Sequence, residues 1–152
     1  MISKGDPAKN FSLKDQDGNY VSLNNFSGKK VLLSFHPLAW TKICAEQMNS
    51  LEDNQKTFSD LNTVPLGVSI DHVPCKNAWA DSLNIAETRL LCDFWPHGEV
   101  AKLYGVFKEE RGVSGRANIV ISENRKIEFV KIYPTSELPD IEEVIKAIKD
   151  DS

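Results

Sequence analysis

Apolar and polar positions alternate first in two short runs. Phe11-Ser12-Leu13 and Val21-Ser22-Leu23 flank the turn signal Asp17-Gly18, which predicts a hairpin. Val31 to Phe35 is a short apolar run of the kind a central strand shows, and Pro37 stops it. The period then lengthens: Met48, Leu51, Gln55, Phe58 and Leu61 recur at helical spacing and predict one helix from about Ile43 to Asp60. Val64 to Ile70 reads as a second buried strand, and Cys75 to Leu83 as a short helix beginning just after Pro74. Leu90-Leu91 reads as a short strand, and Glu99 to Tyr104 as a short helix closed by Gly105. Ala117 to Ile121 and Ile127 to Tyr133 form a second hairpin around the polar turn Glu123-Asn124-Arg125-Lys126. In the last segment Ile141, Val144, Ile145 and Ile148 line one helix face. Asp140 caps that helix and Glu143 completes a capping box.

The order hairpin, βαβα, hairpin, helix gives an α/β chain, a central mixed β-sheet flanked by helices with an N-terminal β-hairpin. A strand-loop-helix-strand unit followed by an antiparallel hairpin and a final helix is what a thioredoxin-like core requires. No repeat, low-complexity stretch or linker divides residues 1–152, so one domain is expected. A chain of 152 residues can bury roughly 70% of its unfolded surface, enough for one real core.

The net charge of −4 argues against nucleic acid as a main partner, because phosphate binding needs a basic face. No apolar run reaches the length of a membrane span; Val31-Leu32-Leu33 is already followed by Ser34. Nor does the N-terminus carry the apolar stretch of a signal peptide, so a soluble, cytoplasmic protein is expected. Three cysteines, Cys44, Cys75 and Cys92, do not make a structural disulfide set, and each needs its own reading.

Cys44 falls in or near the first turn of the long helix, just after a buried strand. Unpaired backbone N–H groups point outward there and the helix dipole favours an anion. A thiol of ordinary pKa, ~8.5, is only a few per cent thiolate at neutral pH, so such a position multiplies the reactive fraction. Lys42 is a further candidate for favouring the anion. The competing reading is a small buried residue on a core helix.

The surrounding residues decide between them. Pro37-x-x-x-Thr41-x-x-Cys44, led in by Phe35-His36, resembles the active-site signature of the peroxiredoxins. Gly115-Arg116-Ala117-Asn118-Ile119-Val120-Ile121 is similar to that family's segment carrying an active-site arginine at the start of a strand. The stretch from Cys92 to Gly105 resembles it too. The likeness covers nearly the whole chain and is nearest to the branch of bacterioferritin-comigratory and alkyl-hydroperoxide-reductase-E-like proteins, which uses Gln47 three after the cysteine. Lys42, where proline is common, and Ala45 depart from the pattern.

The resemblance implies reduction of hydrogen peroxide and organic hydroperoxides by the Cys44 thiolate, which becomes a sulfenic acid. The Thr41 hydroxyl and the Cys44 backbone N–H are implied as donors to the reacting oxygens, Arg116 as a fixed positive charge, and Pro37 as a cover over the sulfur. No cofactor is implied. No metal is expected either, because His72, Cys75, Cys92 and His97 are too loosely spaced for a zinc site. Two other functions compete. A thioredoxin-fold disulfide oxidoreductase needs Cys-x-x-Cys, and Thr41 stands where its first cysteine would be. A non-catalytic redox-sensing or binding module gives no reason to keep Pro37, Thr41, Cys44 and Arg116 together.

The family likeness further implies a thioredoxin-like or other thiol reductant, and a homodimer through the active-site face. Trp40, Phe94, Trp95 and Pro96 supply large apolar groups in predicted loops for such an interface; the alternative is that they close the core beneath. In some related peroxiredoxins the resolving cysteine sits in the short helix that Cys75 begins, whereas the commoner position, five after the peroxidatic cysteine, is Asn49 here. Cys75 is therefore the expected resolving thiol and Cys92 a bystander. The alternative is a one-cysteine cycle in which an external thiol attacks Cys44.

Overall fold

The computed structural model describes residues 2–151. Strands β3 (Lys30–Phe35), β4 (Thr63–Ser69) and β5 (Arg89–Cys92) run parallel at the centre of one sheet. On one side β8 (Arg116–Ile121) and β9 (Ile127–Tyr133) continue it antiparallel. On the other, the hairpin β1 (Ser12–Lys14) and β2 (Tyr20–Ser22) joins the edge of β5, giving the order β2-β1-β5-β4-β3-β8-β9.

Successive residues of β3 point to opposite faces, and both faces are covered, which is why its sequence is a continuous apolar run. Val31, Leu33 and Phe35 pack with Val68, Ile119 and Tyr104 on the face of α4 (Glu99–Leu103). Leu32, Leu90 and Val120 lie on the opposite face. They meet Met48 and Leu51 of α1 (Lys42–Asp53), Phe58 of α2 (Gln55–Asp60), Trp79 of α3 (Val73–Ser82) and Val144 of α5 (Ile141–Asp150).

Local chemistry alters three predicted elements. The long helix over 43–60 is two helices broken at Asn54, whose Nδ2 donates to the Ser50 carbonyl at 2.8 Å in competition with the backbone ladder. α3 begins at Val73 rather than Cys75, because His72 precedes it as cap and its Nδ1 accepts the Cys75 backbone N–H at 3.4 Å. The capping box of α5 does not form. Asp140 accepts the Glu142 N–H, but the Glu143 carboxylate is drawn to Lys131 on β9 at 2.9 Å.

A fourth feature has no hydrophobic period to announce it. The two-residue strands β6 (Phe107–Lys108) and β7 (Val113–Ser114) make a small hairpin apart from the main sheet. The Ser114 hydroxyl ties it to the end of β3 by donating to the His36 carbonyl at 2.9 Å. Among the described residues no helix is long and apolar enough to cross a membrane.

Candidate active site

β3 ends in Phe35 and hands the chain to a loop that runs through Pro37 and Trp40 to Thr41, the residue preceding α1. Trp40 takes a left-handed conformation, φ 69°, which is strained for a bulky side chain. Thr41 is extended but its side chain caps nothing; Oγ1 donates to the Leu38 carbonyl at 2.8 Å. The N–H groups of the first turn are thus left without a side-chain cap. Cys44 lies in that turn, 1% exposed.

Arg116 reaches this sulfur from the start of β8. Its Nη1 lies 3.4 Å from Cys44 Sγ and donates to Gln47 Oε1 at 2.7 Å, while Nη2 donates to the Thr135 carbonyl at 2.8 Å. Nε is buried with no partner, so one donor of the guanidinium remains uncommitted. Gln47 is itself fixed: Nε2 donates to Ser34 Oγ at 2.7 Å and to the Phe35 carbonyl at 3.1 Å, and the Ser34 hydroxyl donates to Asn118 Oδ1 at 2.7 Å. Ser34 and Asn118 are registered neighbours on β3 and β8, so the sheet itself aims the arginine. Because Gln47 is neutral, it orients the guanidinium without cancelling its charge.

Pro37, Thr41, Cys44 and Arg116 all line one cavity of about 490 Å³. Lys42, Lys108 and Arg111 stand on its wall against Glu110, so a chain of net negative charge carries a cationic pocket here. Lys42 has a partner within its own helix. Its side chain is exposed and faces Glu46 at 3.9 Å.

The other cysteines have different surroundings, and all three are free thiols. Cys75 is outside the cavity, in the first turn of α3, half-buried against the same apolar cluster that holds Cys44. Its Sγ lies 3.7 Å from Asp71 Oδ1, and burial together with the Asp71 charge pushes the thiol pKa up. Cys92 is buried, with its sulfur near the Asp15 and Leu90 carbonyls, and burial pushes its pKa up to about 12.

Sequence reading missed the polar groups beneath the loop. His36 and Lys76 are both fully buried, with Lys76 Nζ 2.8 Å from His36 Nε2 and His36 Nδ1 facing the Ser34 carbonyl at 3.3 Å. That network assigns the proton to Nδ1 and leaves Nε2 as acceptor. Burial and the Lys76 charge hold the His36 pKa well below its usual value, and burial lowers that of Lys76 to about 8. The aromatic groups of the loops do not close the core. Trp40 is 57% exposed, Phe94 47% and Trp95 80%, with Pro96 exposed beside them.

Comparison with known proteins gives the family and the fold. The AhpC/TSA family matches residues 4–130. Alkyl hydroperoxide reductase E of Mycobacterium tuberculosis is 36% identical over 141 residues, 92% of each chain. Chloroplastic peroxiredoxin Q of Triticum aestivum is 32% identical over 130 residues, covering 85% of this chain and 58% of that one. Among solved structures, reduced 2-Cys peroxiredoxin of Plasmodium vivax superposes with TM-score 0.89 at 25% identity, over 98% of this chain and 81% of the other. Peroxidoxin BcpB of Mycobacterium tuberculosis gives 0.86 at 24% identity over 99% and 98%, a shared fold that agrees with the thioredoxin-like arrangement expected from the sequence.

Proposed function

The chain belongs to the AhpC/TSA family, and on that premise we propose that this thiol-dependent peroxidase works through Cys44. The observation that carries the assignment is the Arg116 guanidinium, 3.4 Å from Cys44 Sγ on the wall of an open cavity. The thiolate attacks the terminal oxygen of a hydroperoxide. The S–O bond forms, the O–O bond breaks, and the alkoxide or hydroxide that leaves takes a proton to become alcohol or water. Negative charge builds on the departing oxygen, where the free Nε–H of Arg116 and the N–H groups at the start of α1 serve as donors.

Thr41 takes a different part from the donor role that the sequence suggested. Its one hydroxyl proton is committed to Leu38, so its oxygen accepts the O–H of the incoming peroxide and orients it. Pro37 covers the sulfur without competing for its hydrogen bonds. Hydrogen peroxide fills little of a 490 Å³ cavity, given that a water occupies roughly 30 Å³ of liquid, so organic hydroperoxides fit as well.

Cys75 then resolves the sulfenic acid as a disulfide, and a thioredoxin-like or other thiol reductant restores both thiols. Bridging closes a loop of about 31 residues, a chain-entropy term of roughly 3–4 kcal/mol. The Cα atoms must come within about 7 Å, so the first turns of α1 and α3 unwind during the cycle. The exposed Trp40, Phe94, Trp95 and Pro96 support a homodimer through this face. Sedimentation that shows only monomer at high micromolar concentration would refute the dimer.

The peroxidatic assignment is tested by mixing reduced protein with one equivalent of hydrogen peroxide and counting free thiols. Rapid stoichiometric loss is expected in the wild type and none at that rate in Cys44→Ser. Unchanged loss in the variant removes the assignment.

A further inference from the structure

Asp71 is a buried carboxylate that the peroxide-reducing half of the cycle does not use, and it stands between the two cysteine segments. Its Oδ2 accepts the Ala39 backbone N–H at 2.9 Å and the Ser69 hydroxyl at 2.6 Å. Its Oδ1 accepts the Cys75 thiol at 3.7 Å. One oxygen is therefore anchored to the loop that delivers Thr41 and Cys44, and the other is turned to the second sulfur. We propose that Asp71 is the catalytic base of the resolving step, taking the proton from Cys75 as its sulfur attacks Cys44; this rests on Cys75 being the resolving thiol.

The step balances. The Cys75 sulfur forms the S–S bond with the sulfur of the Cys44 sulfenic acid, which peroxide has already supplied. The S–O bond breaks, and its electron pair leaves with hydroxide. The Cys75 proton passes to Asp71 Oδ1 and from there to the departing hydroxide, which leaves as water. Thiol and sulfenic acid become disulfide and water, the sulfenic sulfur being reduced and the Cys75 sulfur oxidised.

A base is required because the setting of Cys75 disfavours a preformed thiolate. Burial and the adjacent carboxylate both push its pKa up, and the Trp40 indole acts in the opposite sense. The proton must then leave during attack, to a group already in hydrogen-bond contact. The neighbouring elements offer no rival. His72 Nδ1 is engaged by the Cys75 backbone N–H and its ring packs edge-on to Phe94. Lys76 on α3 turns its Nζ to His36, and the Cys92 thiol on β5 is kept neutral. Asp71 also stays close when the first turn of α3 opens, because its anchors, Ala39 and Ser69, lie outside that helix.

The experiment follows disulfide formation by stopped-flow fluorescence after one equivalent of hydrogen peroxide, with peptide mapping of the product, from pH 6 to 8. Wild-type protein is expected to give a Cys44–Cys75 cross-link at a rate nearly level with pH, since the Cys75 thiol, its pKa pushed up by burial, loses its proton only during attack and not to solvent beforehand. Asp71→Asn should form the same cross-link about a hundredfold more slowly at pH 6.5, within the usual range for lost general-base catalysis. Its rate should climb about tenfold per pH unit, tracking free thiolate, and Asp71→Glu should recover a level profile. An Asp71→Asn protein that is slow but keeps a level profile overturns the base and leaves only a structural role; so does one that resolves at the wild-type rate. If the variant does not fold, the wild-type profile still decides, because a wild-type rate climbing tenfold per unit overturns the proposal. Absence of any Cys44–Cys75 cross-link in wild-type protein instead refutes the resolving assignment of Cys75.

Discussion

Cys44 and Cys75 each lie in the first turn of a helix, and both border the apolar cluster on the same face of the sheet. The helix dipole treats them alike. Their nearest charged side chains do not. A guanidinium whose charge Gln47 leaves whole stands 3.4 Å from one sulfur, and a carboxylate stands 3.7 Å from the other. Helix position therefore makes a cysteine eligible for chemistry, and the side chain brought in from elsewhere decides which chemistry. In the proposed cycle these opposite fields divide the labour, the sulfur beside the cation meeting peroxide and the sulfur beside the carboxylate, whose pKa burial and Asp71 push up, meeting the sulfenic acid.

Removing the cation should have the largest effect. Arg116→Met is expected to slow peroxide-dependent oxidation of Cys44 by about 10²–10³-fold, the usual loss for one preorganised donor set, as read by stopped-flow thiol oxidation. A loss under tenfold would mean that the two sulfurs do not differ through their charged partners. A milder perturbation keeps Arg116 and cancels it. In Gln47→Glu a carboxylate replaces the amide that now lies 2.7 Å from the guanidinium, and oxidation should slow about tenfold. An unchanged rate would show that arginine acts by position rather than by charge.

The smallest expected effect concerns Lys76, the buried cation near Asp71. With a pKa of about 8 in the fold against ~10.4 unfolded, the unfolded chain holds the extra proton between those values. This group thus makes the protein more stable as pH rises through that window and carries its full charging cost below pH 8. From pH 7.5 to 9.0 wild-type protein should gain on the order of 1 kcal/mol relative to Lys76→Met, measured by urea unfolding of both proteins. Equal changes in the two would show that Lys76 is not held near neutrality.

Both cysteines of this contrast were named from the sequence, and so was the cation that faces Cys44, but the carboxylate that faces Cys75 was not. Val31 to Phe35 announces a central strand because both its faces are buried, and the spacing of Pro37, Thr41 and Cys44 places the sulfur at a helix start. Arg116 could be found by its likeness to a known segment, although 72 positions separate it from the cysteine it faces. Asp71 had a weaker signal, four residues before Cys75 at a strand-to-helix turn where acidic residues are common caps. His36 sits where the strand end calls for a packed aromatic, but Lys76 is satisfied by it only after the core closes, so no local pattern marks that lysine as buried. Asn54 and Glu143 also misled. Glu143 had a favourable role in the expected local structure and a stronger partner, Lys131, in the folded one, whereas Asn54 bonds the Ser50 carbonyl inside a stretch whose apolar spacing runs on unbroken.

The long reach of Arg116 also bears on how the protein is made. Its guanidinium lies 72 residues after Cys44 and is steadied by the carbonyl of Thr135, 19 residues further on. At about 5–20 residues per second, a ribosome exposes the sulfur several seconds before the cation and its support. Through that interval the nascent chain carries Cys44 without the cation that faces it in the fold, and a chain interrupted before β8 never acquires it. On the proposed role of Arg116, sensitivity of this cysteine to peroxide arrives with the completed sheet rather than with its amino acids.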